Sequence, residues 1–198
     1  MPVSPTGAPL PPPFRPVTEM LRGGDRVVIR AIQAEDADME RTFIERLSPQ
    51  SRRFRFLETF QSPGESLLHQ LTVINPLNEV AYVAVIDDGP QDKEVGVGRF
   101  SATPGTHECE FAIVVADAWQ HKGLGTLLMH HLVQAARALG LERMHSSDPS
   151  DNALMREFAA HLHFHHSPDP LNPTQILYRL DISASLENAR VPVRGLEC

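Results

Sequence analysis

The sequence predicts an α/β chain of the α+β kind: a mixed, mostly antiparallel sheet of six or seven strands flanked by helices. Two observations carry this. Between Val80 and Val115, three apolar runs of strand length follow one another across short Gly/Pro turns, the pattern of an antiparallel meander. Directly after them, VADAWQHKGLGTLL (115–128) leads through a glycine-interrupted turn into an amphipathic helix.

Taken in order, residues 1–24 are Pro-rich and poor in apolar side chains, which predicts a flexible N-terminal arm ahead of one domain spanning 25–182. RVVIRAIQ (26–33) reads as a strand, and Ala34-Glu35-Asp36 leads into a helix through Leu47 that Ser48-Pro49 stops. Two short helices follow, over 49–56 and 64–71. The meander strands are 80–87, 94–103 and 107–115, with turns at Asp88-Gly89-Pro90 and Pro104-Gly105. From Lys122 to Leu139 the residues Leu124, Leu127, Leu128, Leu132, Ala135 and Leu139 fall on one helical face, and Gly140 ends the helix. A strand over 142–147, a helix over 151–162 capped by Ser150 or Asp151, and a last strand QILYRLDI (175–182) complete the domain. The charged tail 183–198 is expected to be mobile or to pack loosely.

With 41% apolar and 22% charged residues over 198 positions, the chain can bury a core. Its formal charge of -7 argues against nucleic acid as a partner and suits a cationic substrate. Two cysteines, Cys109 and Cys198, make no disulfide framework, which fits a reducing, cytoplasmic setting. No apolar run approaches the ~18 residues of a membrane span, and the start lacks the basic and apolar regions of an export leader. The sequence carries no signal for an oligomeric state.

The turn Gln120-His121-Lys122-Gly123-Leu124-Gly125 is the most informative stretch. N–H groups in a first helical turn lack intrahelical partners, and the helix dipole adds partial positive charge, so a phosphate can dock where side chains are absent. Gly123 and Gly125 remove those side chains. A tight strand-to-helix turn with no ligand is the plain alternative.

This turn resembles the Gln/Arg-x-x-Gly-x-Gly/Ala signature of the GNAT superfamily of N-acetyltransferases, and the likeness extends from about Arg26 to Asp181. A narrower resemblance is to bacterial protein lysine acetyltransferases, on Ile29-Arg30, Asp36, Leu47-Ser48, Ser51, Arg55-Phe56, Glu110 to Val115, Asp117, Trp119-Gln120, Gly123-Leu124-Gly125, Asn152, Met155, Ala159, Leu162 and Phe164. His163 stands where that pattern has Gly, which puts the local backbone in question. The resemblance implies a GNAT-like fold and acetyl-coenzyme A as co-substrate, lying where two parallel strands splay. Carried over by position, Ile113 and Val115 would offer backbone groups to its pantetheine arm. Gln120, His121, Lys122, Gly123, Gly125 and Thr126 would surround the pyrophosphate, and Asn152 would touch the cofactor from the next helix. The acceptor implied is a protein lysine side chain, with an acyl-coenzyme A synthetase as one candidate, or otherwise a small amine. Relatives are often fused to a sensing or synthetase-like domain; the 24 or so residues before this fold are too few for one, so control is expected from elsewhere.

A lysine amine with an ordinary pKa near 10.4 must lose a proton before it attacks a thioester. Glu110, on the strand leading to the glycine turn, is the candidate base, with Glu108 at same-face spacing as an electrostatic neighbour; the resemblance also points to Glu110. Both could instead be surface carboxylates. A backbone N–H near Val114 or Val115 is expected to receive the carbonyl oxygen. Many relatives use a helix tyrosine as the acid. Ala159 stands there, and the only tyrosines are Tyr82 and Tyr178, so no acid is assigned.

Rival signals weigh less. Cys109 points away from Glu110 and reads as a small buried hydrophobe. His161, His163, His165 and His166 cross a helix end into a strand, which spreads them in direction, and no metal site is expected. SRRFRF (51–56) mixes basic and aromatic residues but reads as an amphipathic helix whose Phe54 and Phe56 anchor the core. A non-catalytic coenzyme A-binding module remains an alternative function.

Overall fold

A single parallel strand pair organises the molecule. The computed structural model describes residues 14–57, 60–89 and 92–183. Its eight strands are β1 (Val17–Met20), β2 (Arg26–Ala31), β3 (Glu79–Asp87), β4 (Asp92–Ala102), β5 (Glu108–Val115), β6 (Arg143–Pro149), β7 (His165–Pro168) and β8 (Gln175–Asp181), ordered β1-β2-β3-β4-β5-β6-β8-β7. Every neighbouring pair is antiparallel except β5 and β6. That pair is short. It aligns only Glu108 with Arg143, Cys109 with Met144 and Glu110 with His145, after which β6 continues beside β8 alone.

Helices α1 (Ala37–Arg46), α2 (Pro49–Phe56) and α3 (Glu65–Thr72) cover one face, where Phe43, Ile44, Leu47 and Leu71 pack on Val83, Val97 and Val114. Helices α4 (Leu124–Ala138) and α5 (Ala153–His161) cover the other, where Leu124, Leu128 and Leu132 meet Phe100, Phe111 and Met144. Gly96 and Gly98 on β4 let α4 lie close. A Cβ on Gly96 would come within 3.2 Å of Leu124, and one on Gly98 within 3.2 Å of Leu132. Gly140, at φ 76°, ends α4, with the Leu141 N–H donating back to the Ala136 carbonyl.

Several residues of the protein-acetyltransferase pattern turn out to be local clamps. Arg30 donates to both oxygens of Asp36 at 2.7 Å, and Asp36 also accepts from the Gln33 N–H, fixing the entry to α1. Asp117, in the 3₁₀ turn after β5, accepts from the Ser48 N–H at 2.9 Å and from the Ser48 and Ser51 hydroxyls at 2.7 and 2.8 Å. This ties the start of α2 to the far end of β5. Burial would raise the Asp117 pKa; the bonds from Ser48 and Ser51 outweigh it and hold the carboxyl below its usual range.

The structure corrects several expectations. Residues 17–21, predicted to belong to a flexible arm, are part of the fold, because Val17–Met20 pair with Arg26–Ile29 and Leu21 is buried. Phe14 lies with its ring 4.2 Å from that of Tyr82. The Pro-rich residues 1–13, Pro90 and the tail from 184 lie outside the described residues. The sheet has eight strands rather than six or seven, with β1 and β7 at its edges. Helix α5 is capped by Asn152, whose side chain accepts from the Met155 N–H at 3.1 Å, not by Ser150 or Asp151. His163, in place of the pattern's Gly, adopts the left-handed φ of 58° that glycine would favour. The four histidines of the run divide among α5, this turn and β7. No helix among the described residues is long and apolar enough to cross a membrane.

Candidate active site

Where β5 and β6 part, a cleft of about 650 Å³ opens between them. Register decides what lines it. Ala116 donates to the Val95 carbonyl at 2.9 Å and Thr103 to the Glu108 carbonyl at 2.9 Å, so even-numbered residues of β5 turn their backbone groups toward β4. The backbone groups of Ile113 and Val115 therefore face the open side, as expected for residues that pair with an amide-bearing ligand. Val114, offered at first as a carbonyl-oxygen donor, spends its N–H on β4; Ile113 and Val115 are the remaining donors. The Val115 carbonyl presently accepts from Gln120 Nε2 at 3.2 Å, which anchors Gln120 at the cleft wall.

The floor of the cleft ends at the entrance to α4. Gly123 caps it at φ 90°, and the first intrahelical bond runs from the Leu127 N–H to the Gly123 carbonyl, leaving the earlier N–H groups pointing outward. A Cβ on Gly125 would meet nothing closer than Phe158 at 3.5 Å, so packing alone does not require glycine there; close approach by a ligand would. His121, at φ 60°, and Thr126 also line the cleft. These features fit a diphosphate on the helix entrance, followed by an amide-containing arm along β5.

Lys122 behaves differently. Its Nζ is 2.8 Å from Asp25 and sits over the Trp119 ring at 4.5 Å, and it does not line the cleft. In its place comes Arg22, from the turn between β1 and β2. Its backbone N–H bonds the Lys122 carbonyl at 3.0 Å, and its Nε lies 3.9 Å from where a Gly123 Cβ would be. The sequence put Arg22 in a flexible arm. Only the long-range pairing of β1 brings it here.

Glu110 stands at the last rung of the parallel pair, on an exposed residue. Its carboxylate makes no hydrogen bond or ion pair to any described residue, and it lines both the main cleft and a second, smaller cavity. Glu108 does not act as its electrostatic neighbour, because it accepts from Arg143 Nε at 2.7 Å, a bond that lowers its pKa. A carboxylate that was missed does. Asp148, on β6 across the splay, lines the cleft and accepts from Ser146 Oγ at 2.7 Å and Asn152 Nδ2 at 3.2 Å. Burial raises its pKa against those two bonds, and the charge of Glu110 adds to the rise. Asn152 thus lines the cleft while holding both Asp148 and the helix cap.

Two other expectations can be placed. Cys109 is fully buried, and burial pushes its thiol up to about 12, which suits a core residue and no nucleophile. Phe56 packs on the core, but Phe54 faces the cleft instead. Tyr82 and Tyr178 are both buried and line neither cavity.

Comparison with known proteins agrees with this geometry. Residues 43–164, more than half of the chain, match the acetyltransferase (GNAT) family. The chain is 39% identical over 162 residues to Acetyltransferase PA5475 of Pseudomonas aeruginosa, covering 82% of this chain and 87% of that one. Its fold is similar to the GNAT domain of Streptomyces lividans PAT, with a TM-score of 0.76 at 22% identity over 84% of this chain and 96% of that one. It is also similar to the PaiA N-acetyltransferase of Thermoplasma acidophilum in complex with coenzyme A, with a TM-score of 0.58 at 11% identity over 78% and 98% of the two chains. An open parallel pair, a bare helix entrance and these matches together place the chain in the acetyltransferase (GNAT) family.

Proposed function

We propose that this protein transfers an acetyl group from acetyl-coenzyme A to a primary amine, with Glu110 as general base. The observation that carries the reading is the position of Glu110: an unpaired carboxylate at the junction of the cofactor cleft and a second cavity. Acetyl-coenzyme A supplies an activated thioester.

This chain's own residues do the rest. The entrance of α4, with Gly123 and Gly125, offers N–H groups and dipole to the diphosphate, and Arg22 adds a guanidinium beside it. Ile113 and Val115 present backbone groups along the open edge of β5, one N–H of which can receive the carbonyl oxygen. Glu110 accepts the proton that the amine loses as its nitrogen bonds to the acetyl carbon and the carbon–sulfur bond breaks. The departing thiolate, with an ordinary thiol pKa near 8.5, needs no dedicated acid, consistent with two buried tyrosines.

For the acceptor, the resemblance to lysine acetyltransferases and the likeness to a protein described as a PAT support a protein lysine. A specific observation favours a small amine instead: the second cavity is walled by α2 and α3. Thiol release from acetyl-coenzyme A across a panel of amines tests the reading. Glu110→Gln should lower kcat by about 10²–10⁴-fold at near-normal coenzyme A affinity, the usual worth of a general base. Unchanged turnover would remove Glu110 from the role; coenzyme A binding without release to any amine would favour a non-catalytic module.

A further inference from the structure

Beyond Glu110, away from the glycine turn, lies the second cavity, of about 230 Å³. Its floor is two rungs of one sheet face. The first runs Glu79, Ser101, Glu110 across β3, β4 and β5; the second, two residues along, runs Arg99, Ala112 across β4 and β5. The rungs are about 7 Å apart. Helix α2 contributes Arg55 to the wall, and α3 contributes Gln70. A carboxylate row therefore faces a guanidinium row across a space of small-metabolite size.

Neither arginine forms a direct ion pair with a described residue. Arg55 makes no hydrogen bond or ion pair to any described residue, and its guanidinium lies over the Phe56 ring, 4.8 Å from its centre. Burial, with the neighbouring Arg99 charge, pushes its pKa down to about 10. Arg99 donates from Nη2 to the Leu71 carbonyl, while its Nε has no partner. Glu40, Asp148 and Glu110 act on Arg55 through space, yet none forms an ion pair with it. Glu40 is instead turned to Glu94, and burial raises the pKa of both carboxyls. Carboxylates act on both guanidiniums through space, Glu40, Glu79 and Glu94 on Arg99 among them, but none bonds either directly, so an arriving anion can take donors such as Arg99 Nε that are still free.

We propose that this cavity is the acceptor subsite and that it takes a small amine carrying a carboxylate, the amine at Glu110 and the carboxylate on Arg55 and Arg99. The inference rests on the acetyl-transfer reading. It gives the substrate a charge pattern matching the floor: ammonium to the Glu79–Glu110 row, carboxylate to the arginines. A capped lysine peptide has the amine and lacks the anion.

The test is thiol release by the full-length protein with matched pairs, each a free amino acid and its primary amide, alongside an end-capped lysine peptide and a polyamine. Each free acid should exceed its amide by about tenfold or more in kcat/KM, the worth of one charge-assisted bond. Arg55→Gln should collapse that ratio toward one through KM, and Arg55→Lys should restore part of it; melting temperature checks that each variant is folded. Arg99→Gln is less informative, because it also frees the Leu71 carbonyl. Equal or better use of the amides, the capped peptide or the polyamine would overturn the subsite, as would an Arg55→Gln variant that lowers both members of a pair alike. Absence of thiol release with every amine, while coenzyme A still binds, would instead overturn the transfer reading beneath it.

Discussion

Glu94 on β4 and Glu40 on α1 are 4% and 2% exposed, and they face each other inside the fold. Neither Glu94 oxygen has a hydrogen-bond partner, and nor does Glu40 Oε2. Two carboxyls so placed cannot both ionise. Burial raises the Glu40 pKa against the charges of Arg99 and Arg55, which favour its ionised form, whereas burial and the Glu40 charge drive Glu94 well above its usual range. Glu94 therefore keeps a proton that the unfolded chain releases near pH 4.3. Its stabilising contribution is complete below that value and is lost as pH rises toward the folded pKa, at up to about 1.4 kcal/mol per pH unit for one proton. Glu94→Gln keeps the shape, stays neutral and can donate to Glu40. It should remove this slope and so stabilise the protein progressively above about pH 4.3, by at most about 4 kcal/mol at pH 7. Urea unfolding followed by circular dichroism at pH 5, 6, 7 and 8 provides the measurement: the two proteins should differ least at pH 5 and diverge above it. Parallel curves, or a variant that loses ground as pH rises, would refute the proton retained on Glu94.

Asp117→Ala should act at the opposite end of the scale. The folded pKa of Asp117 is lowered, so its contribution is present above the unfolded value near 3.9 and lost as pH falls through the folded one. An acid titration by circular dichroism should show the variant already weakened at pH 6 and less sensitive than the parent below pH 4. Gly123→Ala forces a side chain onto φ 90°, at about 1–2 kcal/mol, and should lower the melting temperature and weaken coenzyme A binding in calorimetric titration. An unchanged affinity would separate the turn's conformation from ligand capture.

Much of this molecule is legible in its sequence, and the reason is local. Helix α4 announces itself through apolar residues at three-and-four spacing, and the meander through alternating runs and Gly/Pro turns. The glycine turn was equally plain, since Gly123 does need a positive φ. What escaped depends on distant pairing. Val17–Met20 is four residues behind a Pro-rich stretch and becomes a strand only because β2 supplies a partner, and with it Arg22 reaches the cleft. Lys122 looked like a phosphate ligand by position, yet Asp25 and Trp119 claim it. Asp148 carried no motif at all; it matters because β6 leaves β5 just before it. The Glu40–Glu94 contact joins a helix to a strand 54 positions later, and no periodicity encodes it.

Only three aligned residue pairs, with the Glu142 N–H on the His107 carbonyl just before them, join the five-stranded portion of the sheet to the three-stranded remainder among the described residues. A molecule with amides of its own, threaded into the gap beyond them, would act as a surrogate ninth strand and stitch the halves together. Amide hydrogens near Ile113 and Val115 should then exchange more slowly with the gap filled, so that loading the enzyme also stiffens its scaffold.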